Sequence, residues 1–187
     1  MAKREILVLP DQRLRQVADE IPEVDDSVKK LAADMLETMY AAPGIGLAAP
    51  QVGEMKRLVV MDLSKDGEKP DPIVLINPEI KKYSEETVTT EEGCLSIPGL
   101  TFDCRRRQHV VAHGQNMYGD PVTVEGTALL ARIWQHETDH LDGVLFVDRL
   151  DPDARKLAMK SIRESEWWGI TAPTVKFSPH DTRGLAL

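Results

Sequence analysis

The sequence predicts one α+β domain: antiparallel β-sheets packed around a buried central helix that carries an H-E-x-x-H motif, with an N-terminal helix and a peripheral C-terminal helix. Three observations predict it. β-Branched and alternating segments gather between residues 57 and 116 with no helical segment between them, which favours antiparallel pairing over βαβ units. After Gly126 the pattern changes to a run rich in Ala, Leu, Ile, Trp and His, without Gly or Pro and apolar on most faces, as in a buried helix. With 187 residues the chain can form a single core that buries roughly 70% of the unfolded surface, so stability requires no disulfide or structural metal.

In chain order, Asp11 to Ala18 reads as a short helix. Val24 to Ala42 reads as a longer one, because Leu31, Met35, Leu36 and Met39 recur at helical spacing and Pro43-Gly44 stops it. Gly44 to Gln51 combines two glycines, small residues and Pro50, a loop whose backbone can be approached closely. Arg57 to Leu63, Ile73 to Ile76, Ile80 to Thr90 and Gln108 to Asn116 read as strands, and Gly119-Asp120-Pro121 as a hairpin turn. Gly126 to Leu141 is the buried helix, and Pro152 to Trp168 a more polar one. The tail after Gly169 is rich in Pro, Thr and Ser. No repeat or second domain is visible, so residues 1–168 are expected to form the catalytic domain and 169–187 a C-terminal tail.

Composition narrows the function classes. No apolar run approaches the ~18 residues of a membrane span. The stretch Ile6 to Pro10 behind the basic N-terminus is too short for a secretory core, so the cytoplasm is the expected location. Two cysteines, Cys94 and Cys104, suit a reducing compartment in which a thiolate serves as ligand or nucleophile. The net charge of -8 argues against DNA as a partner while leaving room for a local basic patch.

The chemistry concentrates in His136-Glu137-Thr138-Asp139-His140. Two imidazoles four residues apart project from one helix face and can meet one metal, and Glu137 beside them can take a proton from metal-bound water. A structural histidine pair has the same spacing, and two imidazoles are too few for a site. The metzincin continuation fails, because its distal histidine position is Phe146. Glu164 and Glu166 are alternative third ligands, on a helix that reads as solvated. Cys94, in Glu91-Glu92-Gly93-Cys94-Leu95-Ser96-Ile97-Pro98-Gly99, reads either as a thiolate ligand or as a small buried hydrophobe. Asp139 can orient a ligand or pair with an arginine.

Gly44-Ile45-Gly46-Leu47-Ala48-Ala49-Pro50-Gln51, the Cys94 segment, and Gln135-His136-Glu137-Thr138-Asp139-His140-Leu141 together resemble the three signature motifs of the peptide deformylase family, in family order, across about residues 3 to 150. The resemblance implies hydrolysis of the formyl group from N-formylmethionyl nascent peptides. It implies Cys94, His136 and His140 as metal ligands, Glu137 as general acid/base, and Gln51 with the Leu95 backbone N–H as oxyanion donors. It also implies one divalent ion, Fe2+ expected, with Zn2+, Ni2+ or Co2+ as substitutes. Three protein ligands leave an open position for water. For the methionine side chain the candidate walls are Ile45, Leu129 and Ile133, and Gly46 would let the peptide backbone pair as an added strand.

The sequence departs from the family pattern after Pro98. Many relatives have an arginine soon after this proline; here Gly99-Leu100-Thr101-Phe102 follows, and Arg105 to Arg107 come later. Lys156, Lys160 and Arg163 share a face of the last helix, where a transient ribosome contact competes with plain solvation as the explanation. Two rival functions remain at this point. A closed structural zinc site would use both cysteines, although nine residues separate Cys94 from Cys104, and a metallopeptidase would use the same helix on internal amides.

Overall fold

The computed structural model describes residues 2–64 and 68–169, so the expected tail from 170 onward lies outside the described residues. Among the described residues three α-helices accompany two antiparallel sheets: α1 (Asp26–Ala41), α2 (Ala128–Leu141) and α3 (Pro152–Arg163). The five-stranded sheet runs β1 (Gly46–Ala48), β2 (Leu58–Met61), β3 (Ile73–Tyr83), β6 (His109–Gln115), β7 (Pro121–Thr127). The two-stranded sheet is the hairpin of β4 (Thr87–Cys94) and β5 (Ile97–Arg107). The helix α2 touches β1, β2, β3, β6 and β7 of one sheet and β5 of the other, and it buries Ala131, Ile133, Trp134 and Leu141. Among the described residues no helix is long and apolar enough to cross a membrane.

Several elements differ from the sequence reading, each for a local reason. Asp11 to Ala18 is only a 3-10 turn, Gln12–Arg15: Asp11 caps it by accepting the Arg13 N–H, and Gln16 is already extended. The first long helix starts at Asp26, after Asp25 accepts the Val28 N–H at 3.0 Å. The glycine loop contains β1 and a 3-10 turn, Ala49–Val52. Ile80 to Thr90 is two strands, because the chain turns at Ser84, whose N–H donates to the His109 carbonyl, and passes from one sheet to the other.

Residues 97–107 and 122–125, unassigned in the sequence, belong to the strands β5 and β7; β7 also takes in Pro121, expected in a turn, and Gly126 and Thr127, expected in the helix. The helix expected from Gly126 begins two residues later. A side chain at Gly126 would press on the Ala131 amide at 3.1 Å, so this glycine makes the strand-to-helix corner possible. The last helix stops at Arg163, and residues up to Gly169 continue as turns.

Two ties bring the site's segments together. The buried N-terminal stretch Ile6 to Leu9 donates from the Leu7 N–H to the Gln51 carbonyl at 2.7 Å and from the Leu9 N–H to the Ser96 carbonyl at 3.1 Å. The glycine loop and the cysteine turn are thereby held against one strand-like segment.

Candidate metal centre

His136 and His140 lie one turn apart on α2, with their Nε2 atoms 3.2 Å from each other. Cys94 closes the group from the end of β4, its Sγ 3.2 Å from His140 Nε2. The register places Cys94 opposite Ile97, so the thiol sits where the β4–β5 hairpin turns through Leu95 and Ser96. All three residues are buried, and their donor atoms lie within 4.8 Å of one another, close enough to share one ion. A thiolate with two imidazoles is a donor set suited to zinc or ferrous iron, so the residues present fit a divalent metal.

Beyond these three donors the site is strongly wired on one side. Glu92 accepts from His136 Nδ1 at 2.6 Å, leaving Nε2 to face Cys94 and His140. Arg106 clamps the same carboxylate through Nε at 3.0 Å and Nη2 at 2.7 Å, then reaches Asp139 through Nη1 at 2.6 Å. Asp139 also accepts two bonds from Arg149. Burial works against the charge on Glu92, but the His136 and Arg106 hydrogen bonds prevail and hold its carboxyl well below the usual range. The histidines diverge. Burial opposes protonation of both, yet the partners Cys94 and Glu92 raise His136, whereas the charge of His136 adds to burial and lowers His140. Phe146, at the position where a metzincin would have its distal histidine, stacks on the His136 ring with centroids 6.0 Å apart.

The other side is sparse. Glu137 is buried and its Oε2 has no hydrogen-bond partner, and desolvation pushes its carboxyl up to about 7. Gly46 lies directly against it: a Cβ there would collide with Glu137 Oε1 and come within 3.2 Å of Ile133 Cγ2. Gln51 is buried with its amide oriented, since Oε1 accepts the Ala48 N–H at 2.9 Å. Its Nε2 consequently turns to Ser96 Oγ at 3.1 Å and lies 3.5 Å from Cys94 Sγ.

The residues singled out in the sequence thus divide into groups. Cys94, His136 and His140 converge, Glu137 and Gly46 touch, and Gln51 reaches the cysteine. Leu95 is buried with its side chain near Gly44, Ile133 is buried, and Ile45 packs against the core cluster that contains Ile133. Leu129 is 40% exposed, the least enclosed of the proposed walls. The sequence reading gave no role to Glu92 or Arg106. One signal was available: β5 alternates, with Cys104 and Arg106 buried while Asp103, Arg105 and Arg107 are exposed, so the middle arginine faces inward. Cys104 is buried, but the group of three metal-competent donors contains Cys94 and not Cys104.

The family model for polypeptide deformylase matches residues 3–156. A peptide deformylase of Acidothermus cellulolyticus is 51% identical over 189 residues, covering 100% of both chains. One from Parafrankia is 50% identical over 186 residues, covering 98% of each. The solved peptide deformylase of Synechococcus elongatus in complex with actinonin is similar with a TM-score of 0.83 at 39% identity, over 93% of this chain and 94% of that one. On the match of model, sequence and fold, the chain belongs to the polypeptide deformylase family of metal-dependent hydrolases.

Proposed function

We propose that the chain is a peptide deformylase that removes the N-formyl group from the N-terminal formylmethionine of newly synthesised proteins and releases formate. The observation that carries the reading is the convergence of Cys94, His136 and His140 beside a buried, unpartnered Glu137. These three residues would hold one divalent ion, Fe2+ by the family's habit, with Zn2+, Ni2+ or Co2+ as substitutes. Bound there, the ion supplies Lewis acidity and makes hydroxide available near neutral pH.

The chain's own residues supply the rest. Glu137, with no competing partner at Oε2, takes the proton of the attacking water and returns it to the departing amine. The oriented Gln51 amide and the Leu95 backbone N–H are the donors for the oxyanion that develops on the formyl oxygen, each worth about 3 kcal/mol in the transition state. β1 is an edge strand of its sheet, so Gly46 can receive the substrate backbone as an added strand. Ile45, Ile133 and Leu129 form the walls for the methionine side chain.

Further parts of the reading concern context. Residues 1–168 act as the catalytic domain, in the cytoplasm, and the exposed Lys156, Lys160 and Arg163 of α3 offer a basic face to ribosomal RNA. Loss of ribosome cosedimentation on replacing all three by alanine is the expected result; unchanged cosedimentation removes that partner.

Formate release decides the main reading. The ferrous or cobalt protein is expected to liberate formate from formyl-Met peptides and to leave the unformylated peptides intact. Cleavage of internal amides with no formate would establish the metallopeptidase alternative instead.

A further inference from the structure

The turn that follows α3 plays no part in the reaction described above and lies beyond the family match at residues 3–156, yet it is bonded to the metal-binding hairpin. Trp167 Nε1 donates to the Pro98 carbonyl at 3.0 Å. Pro98 follows Ile97, the residue paired with Cys94 across the hairpin turn. The indoles of Trp167 and Trp168 are half-buried and pack against the cluster that contains Cys94, Ile97, Phe146 and Ile162. The turn is itself fastened: Ser165 Oγ donates to the Ser161 carbonyl at 2.9 Å, and the Trp168 N–H to the Ser165 carbonyl at 3.0 Å.

The hairpin needs such support. It is a two-stranded sheet, an arrangement marginal by itself in water. At the start of β5, Pro98 has no N–H to give the ladder, and Gly99, at φ +72°, has open space where a side chain would sit. The first residues of β5 therefore lack part of the ordinary restraint of a strand, at the point where the chain leaves Cys94.

We propose that Trp167 is a positioning residue for Cys94: by holding the Pro98 carbonyl, its indole fixes the start of β5 and with it the Cys94-Leu95-Ser96 turn. The role rests on the assignment of Cys94 as a metal ligand. It gives the segment after α3 a function that the family motifs do not contain.

The test uses the full chain with Trp167→Phe, which keeps a ring and deletes the N–H. In the metal-free protein, amide hydrogen exchange at Leu95, Ser96 and Ile97 is expected to quicken about fivefold, with β6 amides unchanged. In the cobalt protein, affinity measured by chelator competition is expected to fall about threefold to tenfold, with a shift of the thiolate-to-cobalt absorption band. Unchanged exchange at the turn together with unchanged cobalt affinity overturns the proposal. So does a uniform rise in exchange throughout the chain, which marks general destabilisation. Should Trp167→Phe fail to fold, benzothienylalanine at position 167 replaces only the N–H by sulfur and is read in the same way. Failure of the wild-type chain to bind cobalt would instead remove the ligand assignment, while the exchange measurement would still report on the anchoring of the turn.

Discussion

Glu92 on the β4 hairpin and Glu137 on α2 approach the histidine pair from two sides, both buried, and the fold treats them differently. Glu92 accepts one bond from His136 and two from Arg106, so its charge is stabilised despite burial. Glu137 keeps an unpartnered Oε2, and burial, aided by the Glu92 charge, outweighs the nearby His136 and Arg106 charges and raises its carboxyl to about 7. A buried carboxylate surrounded by donors is a fixed charge suited to orienting a ring. One without partners changes protonation state near neutrality, as proton transfer requires. In the proposed reaction, orientation of the ring falls to Glu92 and movement of the proton to Glu137.

The largest effect should come from removing the mobile proton. Glu137→Gln keeps the volume and is expected to lower kcat/KM about 1,000-fold while the metal content stays at the wild-type level. Loss of metal from that variant, measured by elemental analysis, would show that Glu137 also holds the site together and would blur the division. Next, Arg106→Met leaves Glu92 and Asp139 buried without their shared partner and should cost about 3–5 kcal/mol in denaturant unfolding. A loss below about 1 kcal/mol would mean that the Glu92 charge is not fixed by Arg106.

The raised carboxyl of Glu137 has a sign that can be checked in the chelated protein. Because its folded pKa of about 7 exceeds the ordinary 4.5, the native state holds an extra proton between these values. Stability therefore falls as pH rises through that window, and the penalty persists above it. Glu137→Gln removes the penalty: around pH 8 the metal-free variant should be more stable than wild type by up to about 3 kcal/mol, with the two converging below about pH 4. Equal stabilities at both pH values would place Glu137 among the ordinary carboxylates. Glu92→Gln belongs to the opposite class. It should weaken metal affinity about 10-fold to 100-fold by releasing the His136 ring, and equilibrium dialysis at fixed pH measures it.

How far the sequence could lead depended on whether an interaction was local. The helical spacing of Leu31, Met35 and Met39 and that of His136 and His140 were readable, because each is set within a turn or two of one helix. The passage from β3 to β4 was hidden, since Ile80 to Thr90 is continuously strand-like although the chain changes sheets at Ser84. β5 escaped notice because Asp103, Cys104 and three arginines have little strand propensity, and their inward and outward alternation has meaning only once the hairpin exists. Glu92 and Arg106 stood in plain view without a role: the β4–β5 register, with Glu92 opposite Phe102 and Val88 opposite Arg106, puts them on one face four positions apart, and only the long arginine side chain running along the folded hairpin joins them. Cys94 as third donor came from family resemblance, because no spacing rule joins a hairpin turn to a helix 42 residues onward.

The smallest expected effect concerns the outer end of the network. Arg149 forms two bonds to Asp139, as Arg106 does to Glu92, but its side chain is 50% exposed whereas that of Arg106 is 4% exposed. Water can replace much of what Arg149 provides, and mobile ions screen the remainder. Arg149→Met should therefore cost about 0.5 kcal/mol, and the difference should shrink as salt is raised toward 1 M, where the screening length is only about 3 Å. Metal affinity should stay at the wild-type level, because Arg106 continues to hold both Asp139 and Glu92. A loss as large as that of Arg106→Met, insensitive to salt, would extend the fixed-charge region to the surface and make Asp139 as dependent on its outer partner as on its buried one.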